Sequence, residues 1–473
     1  MAIFYNEGEV KKRPGIYQRH SNIGFDTLAG AQDGICAIPV KASWGPLGKV
    51  IKNTIASELE KNYGAGTYGA AYTVPAAKAM FEGGASTVYT YRLGSGGEKA
   101  TLTVDALTIT AKYPGAMELS VAVQAKLGEA TVKQFLVYAG TKLVESFEFA
   151  ADGEKEGANL IAAVAESKYV EVTATTAPAT VAPLAVASGA LTGGVDPTVT
   201  NEDYSKAFSA FESFYYNTIA LDVDDDANMT LSLLLQSYLD NAYKMGKLGI
   251  AVVGAKTTLA FEKRCALAKA FNDAKVVFLG GGWMAGTENK DGVMAICYTA
   301  GVIAATPSNQ GIVHTVINGA TDVLEALTYD QYCEAINCGM LMVSMSRAGQ
   351  IWYDAGINSL TAPETGVQDE GWKKIRRVKV RFEMIDRIDR ELEPKVGNVS
   401  ADTDGIADII QTAQRVLDAM ANNEGKLVPG ALIAEDPSNP FVGDSAWFII
   451  QADDIDSLEK IYLHYQFRYS QNS

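Results

Sequence analysis

At the end of the chain Ile461, Leu463, Tyr465, Phe467 and Tyr469 alternate with Tyr462, His464, Gln466 and Arg468. This period of two is that of a strand with one buried face. Terminal residues without a partner fray, so the pattern predicts a sheet for this strand to join, in its own subunit or in a neighbour. Further back, short apolar runs predict strands at residues 34–40, 87–92, 218–221, 249–253 and 276–279. Between them, helical spacing marks a segment carrying Ala76, Ala77, Met80 and Phe81, and a stripe of Tyr204, Phe208, Phe211, Phe214 and Tyr215. Helices are also expected over residues 231–243, 261–271 and 294–305. Short strands between longer helices imply a mainly parallel sheet covered on both faces.

Two regions break this alternation. From residue 102 to about 186 the chain is rich in Thr, Val and Ala, with short alternating runs that predict a separate β-rich domain, and residues 178–197 read as its exit linker. Residues 42–50 read as a turn-rich loop, and 339–354 as a hairpin, two apolar runs around a polar turn. After Pro363 come helices expected over 380–392 and 404–421, the second on an unbroken stripe from Ile406 to Met420, and strands at 432–435 and 446–452. The expected fold class is multidomain α/β and α+β: a central α/β sheet domain with an inserted β-rich domain, and a C-terminal α+β domain carrying extended terminal arms. The expected boundaries are an N-terminal extended arm at 1–30, the central domain at 31–93 and 196–362, the insertion at 94–195, the C-terminal domain at 363–457 and a C-terminal strand at 458–473.

Composition narrows the function. A chain of 473 residues exceeds a single core, and about three domains are expected. Its net charge of −16 repels phosphate backbones and anionic lipid, which argues against direct nucleic-acid binding. No apolar run is long enough to span a membrane, so no membrane insertion is expected, and the start lacks the layout of a secretion signal, which predicts a cytoplasmic protein. The cysteines, Cys36, Cys265, Cys297, Cys333 and Cys338, sit mostly in apolar sequence and read as free thiols with no disulfide.

Catalytic machinery is hard to find. Gly280-Gly281-Gly282-Trp283-Met284-Ala285 fits the form of a dinucleotide-binding turn, but a polar loop follows where the phosphate-binding helix should begin, which favours a structural turn. Asp222, Asp224, Asp225 and Asp226 follow a strand, where a Mg²⁺ site is conceivable and a solvated, helix-capping loop is the commoner arrangement. The three histidines are too scattered for zinc spacing, and neither a metal nor a cofactor is expected. One charged feature opposes the acidic background: Lys373, Lys374, Arg376, Arg377, Lys379 and Arg381 place six cations in nine residues. They read either as a solvated face or as a patch that docks an acidic surface of a neighbouring subunit.

Several segments together resemble the contractile tail sheath proteins of bacteriophages and phage-tail-like particles. They are Arg13-Pro14-Gly15-Ile16-Tyr17, residues 34–41 with Trp44-Gly45-Pro46, Gly83-Gly84-Ala85 before Val88-Tyr89-Thr90-Tyr91-Arg92, Lys112-Tyr113-Pro114-Gly115, Leu191-Thr192-Gly193-Gly194 and Gly356-Ile357-Asn358-Ser359-Leu360-Thr361. Met117-Glu118-Leu119 departs from the family's usual Trp-Gly-Asn. The resemblance implies a structural subunit with no active site, stacked with itself as hexameric rings around a tail tube protein, with baseplate and tail terminator proteins at the ends, in a virion tail or tail-like particle assembled in the bacterial cytoplasm. It further implies that terminal arms are exchanged between subunits as added strands. The matching residues are Ile16, Tyr17, Gln18, Arg19 and His20 at one end and Ile461, Leu463, Tyr465, Phe467 and Tyr469 at the other. An α/β enzyme using the glycine turn or the aspartate cluster is the rival reading, and pairing of the last strand with residues 446–452 of its own domain is the rival for the arm.

Overall fold

The computed structural model describes residues 32–104, 106–174, 189–225 and 229–468, together with two short strands, Ile3–Phe4 and Tyr17–Gln18. Its centre is a seven-stranded sheet in the spatial order Met340–Leu341, Val276–Leu279, Ile250–Gly254, Thr218–Ala220, Ile35–Val40, Thr87–Arg92 and Val50–Asn53. All pairs are parallel except the last, where Val50–Asn53 runs antiparallel along the edge. The β-branched and apolar strands are buried on both faces, as a parallel sheet requires. Helices Val74–Glu82 and Val293–Ala305 cover one face. Helices Asn201–Phe211, Thr230–Lys244 and Phe261–Phe271 cover the other. Val293–Ala305 is built of small residues because it lies against both the sheet and Val74–Glu82. A Cβ at Gly301 would meet the Met80 carbonyl at 2.1 Å, and one at Gly83 the Tyr298 carbonyl at the same distance.

Sequence patterns missed some edges of this layer. The stretch expected as a loop is followed by the edge strand Val50–Asn53 and the helix Ala56–Tyr63, where only Leu59 and Tyr63 bury fully and leave little periodicity. The expected hairpin over 339–354 is divided: Met340–Leu341 becomes the seventh strand of the central sheet, and only Val343–Met345 pairs with Ile351–Tyr353. Phe214 and Tyr215 fall beyond the end of their helix.

The β-rich region is a sandwich of a four-stranded and a three-stranded antiparallel sheet with one helix, Glu156–Ala163. Leu107, Ile109 and Ala111 face its core at every second position, opposite Val121, Phe135 and Val137. The described part of the expected exit linker is paired instead of free. Gly189–Ala190 joins Leu119–Lys126, and bridges Ser95 to Thr198, Glu98 to Val195 and Thr101 to Thr192 lay the exit of the insertion along its entrance.

A buried arginine pins this insertion to the central sheet. Arg92, at the end of its strand and wholly buried, donates from Nε to the Ala42 carbonyl (2.8 Å), from Nη1 to Gly45 (2.6 Å) and from Nη2 to Pro114 (2.8 Å). Beside it Trp44 stacks on Tyr169 at 5.5 Å and meets the edge of Tyr113 at 5.1 Å. Segments more than sixty residues apart in sequence are thus held by one guanidinium fork.

The C-terminal domain packs the helices Ile375–Leu392 and Thr403–Asp418 against a two-stranded sheet, Leu432–Glu435 with Phe448–Gln451. Val380, Ile388, Ala413, Val416, Leu417, Met420 and Ile433 make its core. The first helix begins at Ile375, five residues before the expected start, because its cations alternate with buried Ile375, Val378 and Phe382. Asn358 joins this domain to the central one: its Nδ2 donates to the carbonyls of Ala274 (3.0 Å) and Trp372 (2.6 Å).

Replacing Arg92 by Met should leave three carbonyls without their donor and lower stability by about 3 kcal/mol or more. Arg92→Lys should recover little, since one ammonium cannot span all three. Urea unfolding of the variants measures this, and a loss below about 1 kcal/mol for Arg92→Met would show the fork to be incidental.

Candidate assembly interface

The basic run begins just before the Ile375–Leu392 helix and continues through its first two turns, and an acidic run at residues 453–459 folds back onto it. Asp454 takes Arg377 through both Nε and Nη2 and Arg381 through Nη2 at 2.9 Å, while Asp369 binds Arg381 from the opposite side. Lys374 holds Asp456 at 2.7 Å and Glu459 at 3.1 Å, and Arg376 donates to the Ser457 hydroxyl at 3.1 Å. Lys373 pairs with the exposed Glu370. Backbone bonds from Val428 to Asp453 and from Ile455 to Lys426 fix the returning segment along the domain. Burial opposes ionisation of Asp454, yet the hydrogen bonds from Arg377 and Arg381 outweigh it and hold its carboxyl below the ordinary range. The cations read as a docking patch are therefore engaged within their own chain. Their partners, Asp453-Asp454-Ile455-Asp456-Ser457-Leu458-Glu459, were missed by sequence reasoning, although a compact acidic run near the chain end was a signal of matching sign.

Lys379 serves a different purpose. Only 9% exposed, its ammonium donates to the carbonyls of Ile303 (2.6 Å) and Thr306, capping the end of the Val293–Ala305 helix from the neighbouring domain. Burial depresses its pKa to about 8, against support from Asp33 and Glu383. Nearby, Glu383 accepts from Ser308, Lys426 and Arg387, and Glu424 accepts from Arg387 and Lys426.

Past this clamp the chain leaves the domain. Residues 461–468 form no ladder with any described residue, and Ile461, Tyr462, Leu463, Tyr465 and Phe467 are 70, 89, 68, 70 and 93% exposed. Both faces of the alternating pattern are thus in solvent, a state that an amphipathic strand does not favour. Pairing with residues 446–452 is not observed. Among the described residues Phe448–Gln451 pairs with Leu432–Glu435 alone and keeps its outer edge free, whereas on Leu432–Glu435 the Gln414 side chain accepts from the Ile433 amide at 3.2 Å. A groove of about 670 Å³ runs beside the second strand, walled by Tyr243, Trp372, Met384, Ile450 and Ala452. Tyr469 lies outside the described residues, as do Ile16, Arg19 and His20 at the other end; Tyr17 and Gln18 pair in parallel with Ile3 and Phe4.

The enzyme candidates have structural roles. Trp283–Ala285 of the glycine turn is a strand paired antiparallel with Glu288–Lys290, so no helix N-terminus faces a phosphate there. Asp222 is buried, accepting from Tyr204 (2.6 Å) and Thr73 (2.8 Å) with Lys41 at 3.4 Å. Asp225 is buried too and accepts from Ser232, whereas Asp224 faces Lys256; Asp226 lies outside the described residues. Asp222 and Asp225 therefore tie elements together and are not solvated. No group of three His, Cys, Asp or Glu among the described residues is arranged to hold a metal ion.

Comparison with known proteins agrees with this architecture. Residues 95–196 match the phage tail sheath protein beta-sandwich domain and residues 198–356 the phage tail sheath protein central domain, together more than half of the chain. The chain belongs to the phage tail sheath family. It is 22% identical to the phage-like element PBSX protein XkdK of Bacillus subtilis (strain 168), over 97% of this chain and 98% of that protein, and 24% identical to the uncharacterized protein YqbK of the same organism, over 89% and 90%. Among solved structures, the sheath tail protein Lin1278 from Listeria innocua superposes with a TM-score of 0.70 at 19% identity, covering 90% of this chain and 96% of that one. The anti-feeding prophage helical sheath in its contracted state gives 0.52 at 13% identity, over 97% and 99%. At these identities the structural likeness is one of fold.

Two outcomes follow from the charges. Asp454→Asn should loosen residues 455–468 and speed their proteolytic cleavage about tenfold, a local loss of ~1.4 kcal/mol, without moving the global unfolding midpoint; unchanged cleavage would show that the clamp does not anchor the arm. Lys379 carries a folded-state pKa below its ordinary value, so the unfolded chain binds more protons between about pH 8 and 10.5, and this residue's contribution rises with pH across that window. The difference in urea stability between wild type and Lys379→Met should therefore grow in favour of wild type from pH 8 to 10.5, and a flat difference would contradict the assignment.

Proposed function

We propose that copies of this chain polymerise as hexameric rings stacked helically around a tail tube protein, and that the sheath shortens to drive the tube through a cell envelope. Residues 461–469 act as the link between copies, adding a strand to a free edge of the two-stranded sheet in a neighbour's C-terminal domain, and residues 16–20 supply a second arm. The observation that carries this reading is a strand-patterned segment anchored at its root by ion pairs and paired in a ladder with no described residue, in a chain whose Phe448–Gln451 strand has an open outer edge among the described residues. Strand addition supplies main-chain hydrogen bonds, and alternate side chains enter pockets. At roughly 0.2 to 1 kcal/mol per cross-strand pair, an arm of this length contributes a few kcal/mol. That suits a tether which holds while broader surfaces repack between two states.

In this role the subunit is structural and performs no catalysis. Its ends meet baseplate and tail terminator proteins, its place is the virion tail or a tail-like particle, and assembly takes place in the bacterial cytoplasm. Deleting residues 460–473 tests the link. The truncated protein should keep the unfolding midpoint of the full chain yet sediment as a monomer and give no tubes or rings in negative-stain images. Normal polymers from the truncated chain would refute the exchanged arm.

A further inference from the structure

We infer that Cys265 and Cys338 form a redox pair that closes into an intrachain disulfide when the folded protein meets a peroxide. The two residues come from different elements. Cys265 lies in the middle of the Phe261–Phe271 helix, and Cys338 caps the end of the Tyr329–Asn337 helix. Their sulfurs are 2.7 Å apart, and both residues are buried in the core that holds Phe261, Ala268, Ala335 and Met340. A disulfide needs a separation of about 2.05 Å, so closure asks for less than ~1 Å of relative movement. The backbone holds Cys338 in place: Gly339 follows at φ +74°, and a Cβ there would come within 2.7 Å of the Ser359 carbonyl, so the chain can make this turn closely only with glycine. Cys36 and Cys297 are fully buried in the other core, where their thiols donate to the carbonyls of Ala300 and Leu221. Cys333 is only partly buried.

The reaction balances with hydrogen peroxide as oxidant. One thiolate attacks a peroxide oxygen and hydroxide leaves, giving a sulfenic acid; the second thiolate attacks that sulfur, hydroxide leaves again, and the two thiol protons complete two molecules of water. Both sulfurs are oxidised and the peroxide is reduced. The bond would tie the helix covering the central sheet to the chain just before its two-residue edge strand, Met340–Leu341, closing a loop of more than seventy residues. A protein made in a reducing compartment and later exposed to oxidising surroundings would gain the link after folding. This inference does not depend on polymerisation, and its failure would leave the sheath reading intact.

Purified full-length protein treated with hydrogen peroxide, denatured under alkylation and digested without reductant should yield a Cys265–Cys338 linked peptide lighter by two hydrogens than the sum of its parts. The linked form should unfold at a temperature higher by about 5 °C or more, a gain that a reductant reverses and that Cys338→Ser lacks. Recovery of both residues as alkylated thiols while Cys333 is oxidised would overturn the proposal, as would their conversion to sulfinic acid without a link. Because the peptide readout is made on the wild-type chain, misfolding of a variant cannot mask either result.

Discussion

The ion pairs between residues 374–381 and residues 454–459 decide where the end of the chain goes. A segment carrying four carboxylates in seven residues would be repelled by a protein of net charge −16 unless a local cationic surface received it. The first turns of the Ile375–Leu392 helix provide that surface, and the bidentate grip of Arg377 on Asp454, shared with Arg381, fixes direction as well as position. Isolated surface pairs contribute little, but this group is networked and half-buried, so its members support one another. Its consequence is geometric: residues 461–468 start from a defined point and run on without a ladder to any described residue.

The family-like segments, scattered in sequence, come close in space at the joints between domains. Trp44-Gly45-Pro46, Arg92 and Lys112-Tyr113-Pro114-Gly115 meet where the insertion joins the central sheet. Gly356-Ile357-Asn358 meets Ala274 and Trp372 where the central sheet joins the C-terminal domain. Both junctions depend on side chains that satisfy main-chain carbonyls of the adjoining domain, and buried carbonyls left unpaired cost more than most surface contacts return. The domains are therefore jointed at specific hydrogen-bonding residues, with Lys379 closing a helix end across the second joint.

Sequence made the interior legible and the borders less so. The helix at Phe261–Phe271 and the strands Thr87–Arg92 and Val276–Leu279 match their expected limits, the strands because short runs rich in β-branched and aromatic residues stand between turn residues such as Gly83-Gly84 and Gly280-Gly281. Val50–Asn53 and Ala56–Tyr63 escaped because edge elements bury few side chains. The start of Ile375–Leu392 was hidden for another reason: cations on its polar face look like a solvated run until their distant partners are known. Pairing between residues far apart leaves no local period, and so the clamp on Asp454, the fork of Arg92 and the approach of Cys338 to Cys265 became visible only in three dimensions.

Tethering and driving force are best assigned to different parts of such a subunit. An added strand brings a roughly fixed set of hydrogen bonds whichever way the neighbouring domains are turned, so it holds copies together without favouring one arrangement. A ligand or contact shifts an equilibrium only by its differential affinity for the two states, and an arm with equal affinity for both shifts nothing. With the arm proposed as a neutral tether, a preference for a shortened state would have to come from other surfaces of the subunit. The ion-paired root suits the proposed division, since it fixes the start of the segment to the C-terminal domain while residues 461–468 pair in a ladder with no described residue.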